Sequence, residues 1–176
     1  MVKKILGAIV AVVILVAALA YTQPREVEVT REIQITAPPE AVYPHVAQFE
    51  LSQKWSPWAD RDPAAKYVFE GAPGQPGASM TWKSDKPDVG NGKQTITEVR
   101  PPEFVETNLQ FEGQSDAVAW FEITHVEGGS KVLWGLKVDM GNSPIGRWMG
   151  LMMDGWIGKD YEQGLSKLKS LVEEKA

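Results

Sequence analysis

The chain has 176 residues, a formal charge of −5, 43% hydrophobic residues and 23% charged ones, a balance that suits one folded domain with a real core plus an appendage. It contains no cysteine, which excludes disulfides, thiolate catalysis and cysteine zinc sites. Setting aside Lys3 and Lys4, the only charged side chains in residues 1–20, takes the formal charge from −5 to −7. Such an acidic body argues against a nucleic acid partner, whose phosphates call for a basic face.

Residues 5–21, ILGAIVAVVILVAALAY, carry no charge and follow the lysine pair. As a helix they span roughly 25 Å, slightly under a hydrocarbon core of about 30 Å. Two readings follow: a membrane anchor, or a signal segment cleaved at Ala18-Leu19-Ala20. In both, the lysines stay on the cytoplasmic side and the acidic body lies beyond the membrane. Residues 1–23 are thus expected to be the anchor or signal segment with a short linker, and 24–176 the folded domain.

EVEVTREIQIT (26–36) alternates, with Val27, Val29, Ile33 and Ile35 apolar, and predicts a strand. Pro38 and Pro39 suit the start of a helix that Pro44 keeps short. WSPWADRDP then brings Trp55 and Trp58 together around a Ser-Pro bend. Strands are expected at 66–71, 78–84, 93–100 and 104–113. A hairpin of 116–128 with 131–140 turns through Gly128, Gly129 and Ser130. The chain closes with a long helix capped by Ser143, with Pro144 at its first position. Its stripe of Ile157, Tyr161, Leu165, Leu168 and Leu171/Val172 should pack on the sheet. Gly150, Gly155 and Gly158 predict a kink or a break in its first half. Short turns make the sheet antiparallel, and the economical architecture is α+β.

The opening strand into ITAPPEAVYPHV, then WSPWADRDP, GASMTWKSDKPDVGNGKQTITEV and NSPIGRWMGLMMDGWIGKDYEQGLSKLK, together resemble the START-like (SRPBCC) superfamily, and within it membrane-tethered proteins of polyketide cyclase/dehydrase type. The likeness covers roughly residues 25–172. It implies a helix-grip fold: a curved antiparallel sheet of about seven strands around the long C-terminal helix, here with an added N-terminal apolar helix. It also implies a cavity between sheet and helix, with the WSPW loop near one mouth. It does not supply a reaction.

Candidate ligand-binding residues are Trp55, Trp58, Met80, Trp82, Phe111, Trp134, Met149, Met153, Asp154 and Trp156. The aromatic ones equally suit a filled core, since rings mostly serve burial. A Met-rich wall suits an adaptable apolar pocket or an ordinary core. Trp120, on the opposite phase from Phe121, is expected at the surface. Asp154 is in phase with Tyr161 and should face the interior, as an acid, as a ligand contact, or in a structural hydrogen bond to Tyr161, a tryptophan or Arg147. The two histidines, His45 and His125, lack metal-ligand spacing, and no phosphate loop or nucleophile motif is present. No metal or cofactor is expected.

The expected function is binding of an apolar or amphipathic, lipid-like small molecule by a module tethered to a membrane through residues 5–21. One alternative is a cyclase or dehydrase using Asp154 or Tyr161 as acid or base. The other is an interaction module with a filled core and an unidentified protein partner.

Overall fold

A computed structural model describes residues 1–113 and 115–174. The elements, in chain order, are α1 (Val2–Ala20), β1 (Glu26–Ile35), α2 (Pro39–Ala47), α3 (Phe49–Ser52), α4 (Pro57–Arg61), β2 (Lys66–Glu70), β3 (Ser79–Lys83), β4 (Gly92–Arg100), β5 (Phe104–Phe111), β6 (Ala117–Val126), β7 (Gly129–Asp139) and α5 (Pro144–Glu173). The seven strands form one antiparallel sheet in the order β1, β7, β6, β5, β4, β3, β2. β2 to β7 are joined in sequence by turns, while the three short helices carry the chain from one edge strand to the other. This is the α+β helix-grip arrangement.

The strands form where side chains alternate. On β6, Ala117, Ala119, Phe121 and Ile123 are buried, while Glu122 and Thr124 point to solvent. Together with Leu136, Trp134 and Val132 of β7 and Val29 and Ile35 of β1, they build the inner face of the sheet. α5 lies along β1 and also meets α1, α2 and α4. Its buried stripe of Tyr161, Leu165, Leu168 and Val172 closes the core.

Ser143 caps α5 as expected, accepting a hydrogen bond from the Gly146 N–H at 3.4 Å. The break expected in the glycine-rich half is not found: α5 runs unbroken for 30 residues. Two of its glycines are seats instead. A Cβ at Gly150 would press on Val27, and one at Gly158 would collide with the guanidinium of Arg31. Close approach of β1 accounts for both.

Candidate functional site

The centre of the grip is aromatic. Trp134 of β7 stacks on Tyr161 of α5 with ring centroids 3.7 Å apart and planes 7° from parallel. Phe121 stacks on Trp134 at 5.0 Å, and Trp55 meets both edge-on, at 5.9 and 5.2 Å. Trp58 stands edge-on to Trp134 and Tyr161, at 5.9 and 6.4 Å. The edge-to-face pairs are worth about 0.5–1.5 kcal/mol each beyond their buried area. Gly164 makes room for them, since a Cβ there would lie 2.8 Å from the Trp134 ring.

The Ser-Pro bend now has an explanation. It splits the two tryptophans between two supports. Trp55 is buried, and its indole N–H donates to the His45 carbonyl at 2.9 Å. Trp58 rides on α4, which ion pairs of Arg61 with Asp160 and of Lys167 with Asp60 fasten to α5. The WSPW loop therefore packs into the aromatic centre.

Away from that centre the inner face changes character. One row across the sheet runs Val27, Val138, Ala117, Leu109, Gln94, Met80, Phe69. The next runs Phe111, Gly92, Trp82, Tyr67. Trp82 and Phe111 come from strands on either side of β4 and meet over Gly92 at 5.6 Å, edge to face. A Cβ at Gly92 would intrude to 2.5 Å from the Trp82 ring. Val138, Leu109, Gln94, Phe111 and Tyr67 are only half-buried, whereas Leu136, Ala119, Thr107 and Ile96 in the adjoining row are buried. In the same two rows Ala117, Met80 and Trp82 are buried, so the inner face has a partly open rim at the end of the sheet where β7 finishes and β1 begins. That end also carries α1.

Polar atoms sit beside this rim. Gln94 donates to the Thr107 hydroxyl at 2.8 Å, and Thr107 donates to the Ala119 carbonyl at 3.2 Å. Gln53, just before the Trp55 loop, donates from Nε2 to the Met80 sulfur at 3.0 Å. Its Oε1 is buried and has no hydrogen-bond partner, and the same holds for the Tyr43 hydroxyl. A buried polar atom without a partner costs about 1–3 kcal/mol. Burial also raises the Tyr43 hydroxyl above the ordinary tyrosine range. Among the described residues no cluster of His, Asp and Glu is arranged to hold a metal ion.

The structure corrects three placements. Asp154 does not face the interior: its side chain is 67% exposed and pairs with Arg31 at 2.8 Å. The helical phase points it towards β1, but β1 is an edge strand, and what it meets there is a guanidinium. Arg31 occupies the inward phase of β1 between Val29 and Ile33 and also holds Glu162 at 2.7 Å. Its hydrogen bond lowers the Asp154 carboxyl below the usual range. Met149 and Trp156 lie on the opposite side of α5 and are exposed, while Met153 packs against the core. Trp120 is not free at the surface, because it lies half-buried over Gly135 of the neighbouring strand.

Tyr161 is buried, and that burial, with the Asp160 charge beside it, raises its hydroxyl far above the tyrosine range. It holds its proton at any physiological pH. Tyr161 thus lies inside the aromatic stack, and Asp154 lies at the surface in an ion pair with Arg31.

Arg31, Gln53 and Gln94 were missed by the sequence reading. For Arg31 the signal was present, a charge on the apolar phase of an alternating strand. Gln53 lies in a loop with no periodicity to orient it. A cleft of about 850 Å3 lies at the far end of the sheet, lined by Pro38, Glu40, Arg100, Phe104, Glu122 and His125 among others. None of the ten candidate ligand-binding residues borders it.

A curved antiparallel sheet closed by one long helix defines the helix-grip class. Residues 26–173 match the family model for polyketide cyclase / dehydrase and lipid transport proteins. The chain belongs to this family. Comparison with curated proteins finds no match. Solved structures share the fold. A Staphylococcus aureus protein of unknown function is 14% identical with a TM-score of 0.65, over 85% of this chain and 95% of that one. A Mesorhizobium loti protein is 19% identical with a TM-score of 0.61, over 85% and 98%. The di-domain ARO/CYC StfQ of the steffimycin biosynthetic pathway is 11% identical with a TM-score of 0.62, over 85% of this chain and 51% of that one. Family membership supports a hydrophobic-ligand-binding or cyclase role. α1 is long and apolar enough to cross a membrane, a test that a signal sequence near the N-terminus also passes.

Proposed function

We propose that the chain is a membrane-tethered module that binds an amphipathic, lipid-like small molecule on the inner face of its sheet. The ligand would lie over Met80, Trp82, Leu109 and Phe111, entering at the half-open rim. The observation that carries this reading is the Gln53 amide. One end rests on Met80 and the other is buried without a partner, beside a wall that is apolar apart from Gln94. A ligand hydroxyl or N–H would satisfy it, and an apolar body would cover the rings. α1 is the anchor in this reading, with Lys3 and Lys4 on the cytoplasmic side and the domain beyond the membrane. The rim and α1 share one end of the sheet, so the mouth faces the source of lipid-like ligands.

Tryptophan emission provides the test. Long-chain fatty alcohols and polycyclic phenols should change the emission of the protein saturably, and Gln53→Leu should weaken the phenols and alcohols more than hydrocarbons of equal size. Equal weakening of both would remove Gln53 from the site.

A further inference from the structure

This inference rests on the reading of α1 as a membrane span. The first half of α5 presents an apolar stripe that the core does not use. Ile145, Met149, Met152 and Trp156 recur at helical spacing and are all exposed, Ile145 at 73% and Trp156 at 51%. Exposed contiguous apolar faces mark interaction sites. This one is continuous with α1. The Trp148 indole N–H donates to the carbonyl of Val16 at 3.2 Å. Val16 lies four residues before the end of α1, so about 6 Å back along the apolar helix. Arg147 fixes the same corner. Its guanidinium donates to the Gln23 and Gly141 carbonyls at 2.8 and 3.2 Å and lies over the Tyr21 ring.

We infer that α5 docks on the bilayer, with Ile145, Met149, Met152 and Trp156 immersed in the interface of the leaflet from which α1 emerges. If α1 crosses the membrane, the Trp148–Val16 contact holds the start of α5 at the depth of the lipid interface. Tyr21, Trp148 and Trp156 are the ring types that concentrate there. The stripe carries no charge, and so it enters an interface as an amphipathic helix does. The domain then sits on the membrane in a fixed attitude instead of swinging on a linker.

The absence of cysteine permits a clean test on the full chain in phosphatidylcholine vesicles. Single variants Met152→Cys, Val12→Cys and Thr124→Cys, each carrying a nitroxide, would be probed with oxygen and with a water-soluble nickel chelate. Val12 reports on the span, and Thr124, on the outer face of the sheet, on water. The expected result is an oxygen-to-nickel collision ratio at Met152 several-fold above Thr124 and below that at Val12, which lies deeper in the span. A lipid-like ratio at Val12 with a water-like one at Met152 would overturn the docking and leave the span standing. A water-like ratio at both would remove the span and the docking with it. A Met152 label shielded from both reagents would mean that protein covers the stripe, which also overturns the proposal.

Discussion

Tyr161 of α5 and Trp134 of β7 stack almost in parallel, 3.7 Å apart, and join the long helix to the middle of the sheet. Trp55, Trp58 and Phe121 close around this pair. Removing the ring takes away a filled position and its neighbours' contacts. Tyr161→Ala should cost about 3–5 kcal/mol, as for other large aromatic truncations. Tyr161→Phe keeps the stack and should cost no more than about 1 kcal/mol. Urea unfolding of both variants checks this.

Gly92 is a seat for two rings from its neighbouring strands. Gly92→Val would place a branched side chain between Trp82 and Phe111, and overpacking of this kind costs about 1–3 kcal/mol. The expected signs are a lower urea midpoint and an altered near-ultraviolet tryptophan signal. Because that wall belongs to the proposed binding surface, ligand-induced changes in emission should also disappear.

Alternation, β-branched runs and turn residues located all seven strands to within a few residues, and Ser143-Pro144 placed the start of α5. Those signals are local: a period, a cap, a turn. The Trp82–Phe111 contact over Gly92 is not local, since it depends on the register of three strands. Asp154 shows the same limit more sharply. Its phase towards the sheet was legible, but that the strand facing it is the edge strand β1, bearing Arg31, was not. The glycines of α5 suggested a kink or a break, and only the closeness of Val27 and Arg31 shows why Gly150 and Gly158 are there; nothing crowds Gly155.

Acid should loosen the fold through carboxylates with depressed pKa. The bidentate pairing of Asp139 with Arg25, aided by the Gly141 N–H, holds its carboxyl down to about 2 from 3.8. Glu173 is lowered by the Thr36 N–H, and Asp154 by Arg31. A depressed pKa contributes stability above the unfolded value and loses it as pH falls through the folded value. Stability should therefore be level above about pH 5 and fall towards pH 2. Asp139→Asn should flatten the lower part of that fall, as measured by denaturant midpoints at a series of pH values.

Gln53→Leu separates stability from binding. It removes a buried oxygen with no partner and should leave the ligand-free protein as stable or slightly more so. The same change should weaken binding of a hydroxylated ligand about tenfold, the equivalent of about 1.4 kcal/mol. Paired thermal melts with and without ligand give both numbers.

Whether the inner face of the grip holds an amphipathic small molecule can be read directly on the isolated domain. Residues 24–176 contain the whole of the core cluster, so they suit native mass spectrometry after expression and purification without detergent. The expected result is a one-to-one apolar adduct that Gly92→Val abolishes. A protein that flies empty, and whose tryptophan emission ignores apolar ligands, would contradict it and leave Trp55 and Trp58 as plugs of a solid core.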